Sequence, residues 1–275
     1  MLKQVLYIYT TFSRLFHMRR IHFLVPLLSL FIALTLSTIA YATHAWGTYH
    51  WARMSNPFTV KLGDNVSSLW DGYLAEASSD WSLSSVLDTA IVTGQARKNC
   101  RATSGRVEVC DAKYGNNGWL GIAQIWVNGD GHIVQGVAKM NDTYFNTSTY
   151  NTPAWRRLVM CQEIAHAFGL DHQDEDFSNP NLGTCMDYTS DPDGPPSNEH
   201  PNAHDYEQLE LIYAHLDSTT TLSASAPQGA GQEIDVSDPK HWGKAFHKDG
   251  KGRDTHFERD LGKGHKVFTF VIWAD

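Results

Sequence analysis

The chain has 275 residues, 42% of them hydrophobic and 19% charged, with a formal net charge of −8 at pH 7. That length supports one substantial domain with room for a small appendage, and the net acidity argues against nucleic acid as a partner. The charge is uneven: the first 42 residues hold four of the 22 basic side chains and none of the 30 acidic ones, which leaves 18 against 30, or −12, in the remainder.

Arg19-Arg20 leads into an apolar run over residues 21–40 that ends in Ala40-Tyr41-Ala42. A charged start, an apolar stretch and a small-residue exit predict a secretory signal peptide over residues 1–42, cut after Ala42. The alternative is an uncleaved anchor, since about 20 apolar residues can span a bilayer; Pro26 and several Ser and Thr residues favour cleavage. Met18, directly before the arginines, is an alternative start. No second apolar run of that length follows, so the expectation is a secreted, extracellular protein with no stable membrane association once the signal is removed. All four cysteines lie beyond the leader, and an even number fits an oxidising compartment. The favoured pairing is Cys100–Cys110, which closes a short local loop, and Cys161–Cys185; free buried thiols are the alternative.

Along the chain, Val66, Leu69, Trp70, Tyr73, Leu74 and Ala77 recur at spacings of three and four, which predicts an amphipathic helix over residues 66–79. Residues 86–92 form a short, partly β-branched apolar run and read as a strand. Residues 120–127 and 133–140 flank Asn128-Gly129-Asp130-Gly131, a hairpin signal. A helix is predicted over 156–170, entered after Pro153 and stopped at Gly169. An acidic, Pro-rich loop (171–201) and a last helix over 203–216 follow. Mixed in this order, the elements give the α+β class. Residues 218–232, rich in Thr, Ser, Ala and Gly, read as a linker. Residues 233–275 form a small extension that is basic over 240–266 and closes on a strand-like run, Lys266-Val267-Phe268-Thr269-Phe270-Val271-Ile272-Trp273.

The chemistry concentrates in Gln162-Glu163-Ile164-Ala165-His166-Ala167-Phe168-Gly169-Leu170-Asp171-His172. This is the long zinc-protease pattern H-E-x-x-H-x-x-G-x-x-H with Gln at its first position, and Cys185-Met186-Asp187-Tyr188 follows at the remove of a Met-turn. Positions 162 and 166 lie one turn apart on the same helix face, so both side chains can reach one metal ion. Gly169 lets the chain leave the helix with positive φ, and His172 can then return to the same ion. A metal there lowers the pKa of its water and polarises a peptide carbonyl, with Glu163 positioned to take the proton. Met186 lies beneath as apolar support, and Tyr188 can hydrogen-bond a developing oxyanion.

These residues resemble the metzincin clan of zinc metallopeptidases, most closely its matrixin-like members, over about residues 55–217. The resemblance implies a domain spanning residues 43–217, a twisted sheet above the motif helix, one catalytic Zn2+ and an extended polypeptide substrate laid along residues 120–127 as an edge strand. It does not cover the tail. Glu163 is then the general base, with His166 and His172 as metal ligands. The departure is Gln162, which offers a neutral amide oxygen where the clan has an imidazole. Three readings follow: Gln162 is an oxygen ligand, His200 or His204 completes the set, or zinc does not bind and the chain is a pseudopeptidase, a secreted peptide- or surface-binding protein.

Other residues carry weaker signals. His44 and His50 sit among Trp46, Tyr49 and Trp51 and read first as an aromatic segment packed on the body. Asp174, Glu175, Asp176, Asp191 and Asp193 could hold Ca2+, but match no EF-hand spacing and read as solvated loop charge. His241, His247, His256 and His265 lack paired ligand spacing and read as surface residues. The basic tail could bind an acidic surface polymer or pack against the acidic body.

Overall fold

The computed structural model describes residues 44–95, 99–223 and 238–274; the expected leader and part of the expected linker lie outside the described residues. Among the described residues no helix is long and apolar enough to cross a membrane.

Strand β1 is His50–Trp51 and β2 is Phe58–Asn65. In β2, buried Phe58, Val60 and Leu62 alternate with exposed Thr59 and Lys61, the period expected of a half-buried strand. Helix α1 (Asp71–Trp81) buries Leu74, Ala77, Ser78 and Trp81 and leads into β3 (Leu87–Thr93), which runs parallel to β2. The helix starts later than the sequence spacing implied, because Trp70 is its cap.

Strand β4 (Arg106–Ala112) lies parallel on the other side of β2, and β6 (His132–Asn141) lies parallel beside β4. Strand β5 (Trp119–Val127) joins β6 as an antiparallel hairpin. Asn128 shapes its turn: its side chain accepts from the backbone N–H groups of Asp130 (3.1 Å) and His132 (2.9 Å), and Gly131 supplies a φ of +85°. The short β1 pairs parallel with the start of β6, setting His50 beside His132.

After β6 come three helices, α2 (Asp142–Phe145), α3 (Pro153–His166) and α4 (Ala203–Ile212). Thr152 caps α3 by accepting from the Trp155 N–H, and Pro153 takes the first turn. Asn202 and Asp205 form a capping box on α4. Helices α1 and α3 pack together, and α3 lies across β5, β6 and the last strand.

The chain finishes with β7 (Lys244–Lys248), β8 (Asp254–Gly262) and β9 (His265–Trp273). They extend the same mixed sheet, whose order is β3-β2-β4-β6-β5-β9-β8-β7, with β1 beside β6 as the ninth strand. The fold is therefore mixed α+β. On the helix side, Leu120, Ala123 and Ile125 of β5 join Phe268, Phe270 and Ile272 of β9 in the main core. On the other side, Trp119 and Ile122 meet Val271 under Trp242.

This corrects one sequence expectation. Residues 120–127 are not an edge strand: β5 is paired along one side by β6 and along the other by β9, with Gln124 opposite both Val137 and Thr269. The physical reason is the alternation in the tail, which presents Phe268, Phe270 and Ile272 on the face that continues the core. Each such residue, fully buried, contributes about 1.5–3 kcal/mol. Every residue of β5 is buried, which is why its sequence is a continuous apolar run.

Candidate metal centre

Helix α3 delivers Gln162 and Glu163 side by side and His166 one turn later, all three fully buried. The chain then turns sharply at Gly169, with a φ of +100°; a Cβ there would sit 2.7 Å from the Tyr49 carbonyl oxygen. That turn brings His172 back to face His166, with the two rings perpendicular and their centroids 4.4 Å apart.

Both imidazoles are held from behind. His166 Nδ1 lies 2.8 Å from the Leu170 carbonyl oxygen, which can only accept, so the proton sits on Nδ1 and Nε2 keeps its lone pair. His172 Nδ1 lies 2.5 Å from Glu175 Oε1. The two Nε2 atoms consequently point at each other, 2.9 Å apart. Burial lowers the pKa of both histidines well below the ordinary value, reinforced at His166 by His172 and His256 and at His172 by His256 and His247, which favours the neutral rings. With a lone pair on His166 Nε2, this separation suits either an N–H of His172 or a cation held between the two rings. A carbonyl or carboxylate behind each ring is also how metal-binding histidines are oriented.

Neighbouring oxygens on the same helix are also uncommitted. Gln162 Nε2 donates to the Cys185 carbonyl oxygen (2.8 Å), which leaves Oε1 buried with no hydrogen-bond partner among the described residues. Both carboxylate oxygens of Glu163 are likewise buried and unpartnered there, and burial raises its pKa well above the ordinary value. Gly121 of β5 makes the room: a Cβ at that position would stand 2.6 Å from Glu163 Oε1 and 2.5 Å from Val159 Cγ1. Orphaned buried oxygens are costly, and here they gather on the helix that carries His166. The residues present therefore fit a bound metal ion.

Met186 is fully buried and Tyr188 nearly so, with the Tyr188 ring 4.4 Å from that of His172. The disulfide Cys161–Cys185 joins α3 to the turn that carries them, and Cys100–Cys110 joins the segment before β4 to that strand. Trp81 of α1 supports the arrangement by donating to the Cys161 carbonyl oxygen (3.2 Å).

The tail closes the site. Phe270 of β9 stacks on the His166 ring at 4.4 Å and 6°. The Tyr188 hydroxyl donates to the Val271 carbonyl oxygen (2.8 Å). From β8, His256 Nε2 lies 2.7 Å from Asp171 Oδ1, and from β7, His247 Nε2 lies 3.1 Å from Glu175 Oε2. Asp171, His172, Glu175 and His256 bring ligand-type atoms within 4.8 Å of one another. Burial alone would raise the Asp171 carboxyl, but the His256 hydrogen bond and the surrounding imidazoles hold it below the usual carboxylate range. Burial pushes Glu175 up to about 7.

Several sequence expectations need correction. His200 and His204, considered as replacement ligands, lie elsewhere: His200 Nδ1 is 2.7 Å from Asp80 Oδ2, and the His204 ring is 4.8 Å from that of His44. Of the acidic residues considered for Ca2+, Glu175 turns inward to His172. Asp174 and Asp176 accept from backbone N–H groups two residues on, at 2.7 and 2.9 Å, and the candidate clusters among the described residues include neither these nor Asp191 and Asp193. His256 is not a surface residue but is buried in the site. Sequence reasoning missed the roles of His256 and Phe270, which the pairing of the tail strands with β5 creates, and those of Glu175 and Gly121, which come from a loop folding back and from β5 lying against α3. The alternation over residues 267–273 was the available signal.

No protein-family model matches the chain, and no curated protein matches it. Among solved structures, the chain is similar to the structure of myroilysin, at 9% sequence identity and a TM-score of 0.38, over 62% of this chain and 98% of that one. At that similarity the likeness carries no argument about activity.

Proposed function

We propose that this chain is a secreted, zinc-dependent endopeptidase, and that the described form is its closed form, with β8 and β9 lying where substrate would lie. One observation carries the reading. Two neutral imidazoles face each other at 2.9 Å, and the same helix buries the unpartnered oxygens of Gln162 and Glu163. His166 Nε2, His172 Nε2 and Gln162 Oε1 would hold the metal. Zinc held there supplies Lewis acidity, polarising a peptide carbonyl and lowering the pKa of a water.

The chain's own residues do the rest. Glu163 takes a proton and returns it to the leaving nitrogen; the burial that raises its pKa suits a carboxyl that must hold that proton during turnover. Tyr188 now donates to the Val271 carbonyl oxygen, and with β9 displaced the same hydroxyl is free to donate to a substrate carbonyl in that place. The backbone groups of β5 that β9 now pairs would pair an extended polypeptide by strand addition. Two disulfides among the described residues support an oxidising, extracellular location.

The second reading is a binding protein without turnover, favoured by the filled groove itself. The two separate on zinc and Glu163. Hydrolysis of an unfolded protein substrate that needs zinc and is lost in Glu163→Gln supports the peptidase; zinc-independent peptide binding without cleavage supports the binding protein.

A further inference from the structure

A second group of ligand atoms lies away from the motif, built from three segments far apart in sequence. His50 comes from β1, His132 opens β6, and His215 and Asp217 follow α4. His50 Nε2 is 3.1 Å from His215 Nε2 and 3.5 Å from Asp217 Oδ1. His132 Nε2 and His215 Nε2 are 3.4 and 3.6 Å from the same Asp217 Oδ1. Ligands around a tetrahedral zinc, each about 2.0–2.1 Å from the metal, stand about 3.3–3.4 Å from one another, and these four of the six separations fall around that value.

The surroundings leave the converging atoms uncommitted. His50 Nδ1 lies 2.7 Å from the Thr48 carbonyl oxygen, which can only accept, so its proton is on Nδ1 and a lone pair on Nε2 faces a carboxylate oxygen. Asp217 Oδ2 is fully used, accepting from the Arg53 backbone N–H (3.1 Å) and from Arg53 Nη1 (2.8 Å), which leaves Oδ1 for the cluster. Arg53 Nη2 also donates to the His215 carbonyl oxygen, fixing the turn that presents both His215 and Asp217. The β1–β6 register sets His50 directly beside His132. His50, His132 and Asp217 bring their ligand atoms within 4.8 Å of one another, close enough for one divalent cation to be shared among them.

We propose that His50, His132 and Asp217 hold a structural zinc ion, with His215 beside His50 as a further imidazole of the site, separate from the motif centre. A ligand set of imidazoles and one carboxylate suits zinc over the oxygen-preferring magnesium and calcium. The site ties together three chain segments that meet behind the motif helix. Trp51, next to His50, donates to the Ala167 carbonyl oxygen (2.8 Å), and Tyr213, two residues before His215, donates to that of Phe168 (2.7 Å). Zinc here thus braces the turn that returns His172 to His166. Sequence reasoning passed over it, because single histidines at positions 50, 132 and 215 have no local spacing and become neighbours only through the fold.

The test uses the full chain, dialysed against metal-free buffer and titrated with zinc alone. In a His166→Ala, His172→Ala background, we expect about one zinc per chain by mass spectrometry and a rise in Tm of about 5 °C or more on zinc addition. Adding His132→Asn and His215→Asn, which leaves the Arg53–Asp217 contacts intact, should weaken zinc binding by about 100-fold or more. Should the motif-site background fail to fold by circular dichroism, the wild-type chain decides: it should bind one more zinc than the His132→Asn, His215→Asn variant. A folded motif-site variant that takes up no zinc, or equal stoichiometry with and without His132 and His215, overturns the site.

Discussion

Gln162 and Glu163 are adjacent on α3, and each buries an oxygen with no partner among the described residues. This is the residue-scale signature of a group waiting for a ligand. If Glu163 is the general base, Glu163→Gln lowers peptide hydrolysis by about 10²–10⁴-fold while zinc content, measured by mass spectrometry, stays at the wild-type level. If Gln162 Oε1 is the third ligand, Gln162→His tightens zinc binding in a competition titration with a chelator, since imidazole is the better donor; unchanged affinity points to a third ligand elsewhere. Gly121→Ala drives a Cβ to within 2.6 Å of Glu163 Oε1. We expect overpacking to cost about 1–3 kcal/mol of stability in urea denaturation. At this scale much of the centre could be read directly from the sequence. The i, i+4 spacing of Gln162 and His166 and the breaker Gly169 are local facts of helix geometry. Glu175 and Gly121 could not be read so, because one acts through a loop folding back and the other through β5 lying against α3.

The elements show a similar division. Helix α3, the β5–β6 hairpin and α4 announce themselves through caps, periodicity and Asn-Gly turn chemistry. Strand β8, Asp254–Gly262, carries only two buried residues, Thr255 and His256, so its sequence gives no alternation to read. The tail strand 266–273 was legible as a strand, but its partner was not; pairing with β5 is a long-range choice set by the core face it completes. A second element-scale consequence involves β4 and α2. Burial and a hydrogen bond with Asp142 raise Asp111 from its ordinary 3.8 to about 6, against opposing hydrogen bonds from Ser67. The folded state therefore binds more protons than the unfolded one between about pH 4 and 6, and linkage makes this contribution to stability fall as pH rises through that window. Asp111→Asn removes the cost, so its gain in Tm over wild type should be larger at pH 7 than at pH 4 in calorimetry; an equal gain at both would contradict a raised Asp111 pKa.

At the scale of the whole molecule, the tail turns from an appendage into part of the sheet. Three of the eight basic residues over 240–266 pair within the tail: Lys248 with Asp254 (2.5 Å), Arg253 with Asp249 (2.7 Å) and Lys266 with Glu258 (2.9 Å). Its apolar face instead joins the core, with Phe270 on His166 and the Val271 carbonyl oxygen accepting from the Tyr188 hydroxyl. The central claim is that this strand stands in for substrate over a competent site. The most direct measurement inserts a recognition sequence for a site-specific protease between residues 224 and 237. Zinc-dependent cleavage of an unfolded protein substrate is then followed before and after the chain is cut there. The account predicts that cutting raises the rate at least about tenfold, because β8 and β9 are then held only by their own contacts, and that the gain vanishes in Glu163→Gln. A cut, zinc-loaded protein from which β8 and β9 have dissociated, and which still hydrolyses no peptide bond, would contradict it.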